Sequence, residues 1–219
     1  MREDDPPYDP APVHNLRKLE AWARRRNPGT MFHLRGVAPS AVAPLIEQFD
    51  RLAKIYPEVA ARIARITTAS LPTAAQSGGS TVWARASTPP DSDAPEIRLN
   101  DRAYERGSRI QAARIEQVTR GWHPSGTVAP EAIMTHEFGH HLMFWLHDRN
   151  VDVRAETLAL GDPSTLSRYA ITRFEEAFAE GFTAHYHGDE ASSSHPISRG
   201  VLSIIRREIE RARGEGKLR

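Results

Sequence analysis

The sequence predicts an α+β domain in two lobes with a cleft between them. Three observations lead there. Apolar residues recur at helical spacing near the N-terminus and again from about residue 107 onward. Between these stretches, Ile63–Ala69, Ser80–Ala86 and Glu96–Asn100 read as short strands separated by turn-rich segments. Finally, the run from Thr127 to His147 is apolar on nearly every face of a helix, which belongs in the middle of a domain. Helix, short strands, a central helix and further helices make an α+β domain.

Composition narrows the class. The 219 residues suffice for one domain with a real core. A net charge of +1 makes neither nucleic acid nor an acidic membrane an obligatory partner. With 0 cysteines, a disulfide scaffold and a thiolate metal site are both excluded. No apolar signal-peptide core follows the N-terminus, and no run reaches the roughly 18 apolar residues of a membrane span. The expected location is cytoplasmic or within a particle assembled in a cell.

Residues 1–13 hold four prolines and four acidic side chains and are expected to be a disordered tail. One domain is expected over 14–219, with an upper lobe over about 40–147 and a lower lobe over about 148–210. His14–Arg26 is a short helix on Leu16, Leu19 and Trp22. Its basic end (Arg24, Arg25, Arg26) is either solvated or docked on an acidic partner. Pro44–Tyr56 carries a stripe of Leu45, Ile46, Phe49, Leu52 and Tyr56, with Pro57 as the stop signal. Pro72–Gly79 and Ser87–Pro95 read as loops. Within Ser80–Ala86, Val82, Ala84 and Ala86 share one side and Trp83 and Arg85 the other; this strand is the candidate sheet edge for an extended substrate. Gly107–Arg120 is helical. For the next helix Thr127 is the expected N-cap, with Pro130 and Glu131 in its first turn. The last clear helix is Thr172–His187, where Phe174, Phe178 and Phe182 make one core face.

The central helix contains His136-Glu137-Phe138-Gly139-His140, an H-E-x-x-H motif. Positions i and i+4 share a helix face, so His136 and His140 can aim two imidazoles at one ion. Glu137 is turned about 100° from His136 and can reach a water without ligating the metal. This donor set suits zinc, with the carboxylate as general base. A third ligand is still required. In the pattern H-E-x-x-H-x-x-G-x-x-H it would fall at Leu146, which cannot serve. His141 is rotated off the face and is a packing or cleft residue; His147 lies about 10 Å along the axis. In Thr172–His187, Glu176, Glu180 and Thr183 run along a face opposite in chemistry to the phenylalanines. Glu176 as ligand and Glu180 one turn on, bonding a liganding imidazole, would compensate two buried carboxylates. Glu175 competes, but its i+4 neighbour is Ala179.

H-E-x-x-H followed by S-x-Y-A-x-x-x-x-E-E-x-F-A-E-x-F, through Tyr169, Glu176, Phe178, Ala179, Glu180 and Phe182, resembles the gluzincin metallopeptidases, and among them the catalytic domain of anthrax lethal factor. The resemblance implies a zincin-like fold: a small mixed sheet, an active-site helix and a C-terminal helical lobe. It also implies one zinc per chain on His136, His140 and Glu176, with Glu137 as general base and Glu180 behind the ligands. Tyr169, seven residues before Glu176, matches the tyrosine that steadies the oxyanion. Thr172-Arg173 departs from the relatives, which tend to carry Asn there. Gly121-Trp122-His123-Pro124 is similar to metallopeptidase-like domains of phage head-morphogenesis (Mu F-type minor capsid) proteins. Together these stretches cover Gly121–Tyr186, under a third of the chain. The function implied is a zinc metalloendopeptidase acting on a peptide or protein, with phage head or portal proteins as partners. The rival is a non-catalytic minor capsid protein retaining a zinc-binding zincin fold; the intact Glu137 favours the enzyme. His123, His141 and Trp83 are candidates for the cleft walls, with a surface loop as the alternative for His123.

Overall fold

Asn15 accepts a hydrogen bond from the Lys18 amide at 3.0 Å and starts helix α1 (Leu16–Arg26), which buries Leu19, Trp22 and Ala23. In the computed structural model of the protein, the described residues are 10–71, 82–89, 91–105 and 110–215. Residues 1–9 of the expected tail, the loop 72–79, residues 80–81, 107–109 and 216–219 lie outside them. The tail reading is shortened, because Ala11 is buried and its amide donates to Glu47 Oε1 at 2.8 Å. The basic end of α1 is used within the fold. Arg26 pairs with Asp50 at 2.8 Å, and Arg24 donates to the Phe32 carbonyl at 2.6 Å.

A three-residue strand, β1 (Met31–His33), is too short to leave a periodic signal in the sequence. Helix α2 (Pro39–Ile55) begins five residues before the expected Pro44. Pro39 is the first-turn proline, and Pro44 sits inside the helix. The bond Pro44 cannot donate would end at exposed Ser40, so its loss is cheap. Pro57 does stop α2, but it also opens the single turn α3 (Pro57–Ala60).

The sheet contains β2 (Arg65–Ala69), β3 (Ala84–Ser87) and β4 (Glu96–Asn100) in the order β1-β2-β4-β3. β1 and β2 pair in parallel, as do β2 and β4, whereas β3 is antiparallel to β4 at one edge. The sheet is therefore mixed, and β3 is the edge strand. Ser87, expected in a loop, is the last residue of β3. Trp83 precedes the strand and is buried, where alternation placed it with exposed Arg85.

Helix α4 (Ile110–Thr119) leads through turns to α5 (Glu131–Asp148), the central helix. Thr127 does not cap α5. Its hydroxyl donates to the Pro124 carbonyl at 2.7 Å and accepts from Arg114 at 3.1 Å. Ile133, Phe138, Leu142 and Leu146 are buried around α5, as its all-round apolar pattern requires. After α6 (Val153–Ala159) the chain reaches α7 (Phe174–His187), α8 (Glu190–Ser193) and α9 (Pro196–Gly214).

Small residues set the spacing of these helices. A Cβ on Gly139 would lie 3.2 Å from Ala179 Cα and 3.3 Å from Phe182 Cδ1, so glycine lets α5 and α7 close up. Gly181 does the same on the far side of α7, where a Cβ would meet Ile197 of α9 at 2.9 Å. One apolar core runs from α1 and the sheet through α5 to α9, and α1 and β1 extend the upper layer below residue 40. Among the described residues no helix is long and apolar enough to cross a membrane.

Candidate metal centre

The α5–α7 contact brings both halves of the motif together. His136 Nε2 lies 3.0 Å from Glu176 Oε2, His140 Nε2 lies 3.4 Å from the same oxygen, and the two Nε2 atoms are 3.2 Å apart. Donors about 2.0–2.1 Å from a tetrahedral ion are separated by about 3.3 Å, so this triangle has the size of a ligand set. His136, His140 and Glu176 could therefore hold a metal ion. Glu175, the competing carboxylate, instead lies 4.0 Å from Arg173 at the start of α7. About 100° of helix rotation separates the two glutamates and decides between them.

Glu180 is fully buried one turn along α7. Its carboxylate lies 2.9 Å from His136 Nδ1 and 3.2 Å from His123 Nδ1, and it accepts from the Ser167 hydroxyl at 3.2 Å. With an ion in the triangle, a carboxylate beside Nδ1 would favour the proton there and free Nε2 of His136 to ligate. Burial would raise the Glu180 pKa, but His123 and His136 outweigh it and hold the carboxyl well below the usual range. Burial would likewise depress His136, yet Glu176 and Glu180 push its pKa up to about 10.

Glu137, next to His136 on α5, reaches the sheet. One carboxylate oxygen accepts from the Ala86 amide of edge strand β3 at 2.6 Å. Burial raises its pKa above the ordinary glutamate value, partly offset by the adjacent imidazoles. Tyr169 stands against both His136 and His123, with ring centroids 5.8 Å and 5.4 Å away. Burial and the surrounding carboxylates raise its pKa, which keeps the phenol protonated.

His136, Glu137 and Tyr169 share a cavity of about 110 Å³ with Trp83 and His123. The Trp83 and His123 rings are tilted against each other with centroids 6.0 Å apart, and both line this cavity. His123 is not a surface-loop residue: its Nε2 lies 3.1 Å from Gln117 Oε1, and burial lowers its pKa despite Glu180. His141 does not line the cavity. Its Nε2–H donates to the Glu96 carbonyl at 3.1 Å under the sheet, and it packs on Phe144 at 5.7 Å. The pairing of a buried ring nitrogen with a strand carbonyl makes it a packing residue.

Sequence reasoning missed Arg114, Gln117 and Trp122, which complete the cavity wall, and Ser167, which supports Glu180. Arg114 and Gln117 fall three residues apart on α4, a spacing that marks a shared face without saying what the face meets. The chain matches no family model, no curated protein and no solved structure in the comparisons.

Proposed function

We propose that the chain is a zinc-dependent metalloendopeptidase of gluzincin type on a zincin-like fold, holding one zinc through His136, His140 and Glu176. The observation that carries this reading is the triangle of donor atoms, with His136 and the neighbouring Glu137 lining one cavity. A bound zinc supplies Lewis acidity, acidifying water and polarising a peptide carbonyl.

The chain's own residues do the rest. Glu137, anchored at one oxygen by the Ala86 amide, accepts a proton at the other and returns it to the leaving amine. Its raised pKa makes it a stronger base than an exposed glutamate. The Tyr169 hydroxyl, kept protonated, donates to the substrate oxygen that gathers negative charge. Glu180 fixes the tautomer of His136. An extended peptide adds itself alongside β3, the antiparallel edge strand next to Glu137. The head-morphogenesis resemblance would make a capsid or portal protein the substrate; it rests on Gly121–Pro124 alone.

The test is Glu137→Gln, assayed for metal content and for hydrolysis of a mixed peptide set. The variant is expected to retain one zinc per chain while hydrolysis falls about 10²–10⁴-fold, the scale of lost general acid–base catalysis. Wild-type protein that neither carries nor rebinds a transition metal overturns the zinc assignment. A variant cleaving at the wild-type rate leaves a binding site only, and the non-catalytic reading takes its place.

A further inference from the structure

Arg114 is 3% exposed and lines the cavity shared with His136 and Glu137. Its Nε donates to the Thr127 carbonyl at 2.9 Å and its Nη2 to the Thr127 hydroxyl at 3.1 Å. Its Cζ sits 5.4 Å from the Trp83 ring centroid. Among the described residues, Nη1 has no hydrogen-bond partner and no carboxylate lies within ion-pair distance. Other arginines of the fold behave differently: Arg26 pairs with Asp50, and Arg65 and Arg98 pair with Glu96. Burial works against the charge on Arg114, and the Glu180 carboxylate only partly offsets it, so the guanidinium carries a cost that a directly paired carboxylate would relieve.

The wall around it has an apolar part, with Val82, Trp83 and Ile133, and a polar part where Arg114 and Gln117 stand apart from the Glu137 and His136 of the metal centre. At about 110 Å³ the cavity is well below the roughly 300–1,000 Å³ of sites that enclose a whole ligand, so it takes a single group. An apolar wall beside a cation with no direct ion pair among the described residues fits a short chain ending in a carboxylate.

We propose that this cavity is a specificity pocket for a carboxylate flanking the scissile bond, with Arg114 as the specificity-determining residue. Its place beside the scissile bond rests on the peptidase reading; the preference for a carboxylate does not. The group is either an acidic side chain within the substrate or the free C-terminal carboxylate of a short peptide.

The test measures binding, not turnover, on the zinc-loaded full chain. Tryptophan fluorescence, to which Trp83 and Trp122 in the wall contribute, is followed while three blocked tripeptides are titrated. One has an internal Asp and an amidated C-terminus, the second is its Asn isostere, and the third carries Asn with a free C-terminus. A charge-assisted pair predicts that one carboxylate ligand binds about 10–100-fold tighter than the neutral peptide. Preference for the amidated Asp peptide identifies a side chain; preference for the free acid identifies a terminal carboxylate. Arg114→Met should remove the preference and Arg114→Lys retain part of it. Equal binding of all three peptides by wild type overturns the proposal, even if the Arg114 variants fail to fold. An Arg114 that only balances the charge of Glu180 would give that same equal binding. A preference that survives in folded Arg114→Met overturns it as well. Discrimination without hydrolysis keeps this inference and sinks the peptidase reading; hydrolysis without discrimination does the reverse.

Discussion

The histidines packed around the central helix fall into two environments. On the cavity side, His136 faces Glu176 through one ring nitrogen and Glu180 through the other. On the packing side, His141 meets the Glu96 carbonyl, and His187 of α7 lies 2.7 Å from the Thr135 hydroxyl. Burial pulls all three rings toward the neutral form. Bonded to neutral groups, His141 and His187 are held down to about 4 by burial, with His140 and Arg62 adding to it for His141 and Arg114 and Arg51 for His187. With two carboxylates, His136 is pushed up to about 10. His140 and His141 are adjacent in the chain, yet one joins the donor triangle and the other braces a strand. The difference lies in which face α7 covers with carboxylates, not in residue type.

The sharpest way to break this contrast is to remove the carboxylate that closes the triangle. Glu176→Ala should abolish zinc retention in dialysis, and Glu175→Ala should leave it at the wild-type level. Equal losses would mean that convergence on one oxygen is not what separates the two environments. Next in size is Glu180→Ala, expected to cost about 10–100-fold in zinc affinity by chelator competition, the range for a group that orients a ligand. An unchanged affinity would show that the charge behind His136 is dispensable.

The smallest effect belongs to the packing side. The folded state holds His187 neutral down to about pH 4, whereas the unfolded chain protonates it near the ordinary 6.5. The folded state thus binds fewer protons between these values, and stability falls as pH drops from about 6.5 toward 4. Allowing for partial solvent access, His187→Gln should relieve about 1 kcal/mol of this loss at pH 5, read as the wild-type-minus-variant difference in urea melts at pH 7.5 and pH 5. A difference that does not change with pH would remove His187 from the comparison.

Local arithmetic makes much of this legible. The strand Glu96–Asn100, the body of α5 and the span of α7 follow from periodicity, because apolar spacing within one element reflects the face it buries. The shared face of His136 and His140, the offset of Glu137 and the one-turn separation of Glu176 and Glu180 are properties of helix geometry alone. The start of α2 departs from expectation because a proline inside a helix and a proline opening one carry the same local signal. Thr127 departs from it because a threonine before a helix can bond a turn carbonyl instead of the helix end.

The sequence by itself determined which residues could act together within each helix, since covalent geometry fixes their angles about one axis. Only the tertiary structure decided what those faces meet. Gly139 against Ala179 sets how closely α7 approaches and so brings Glu176 and Glu180 to His136. The sheet order puts β3 at the edge and its Ala86 amide on Glu137, and the turn after α4 brings Arg114 into the cavity wall. These are distances between elements far apart in the chain. They are fixed by packing summed over the whole core, which no local spacing records.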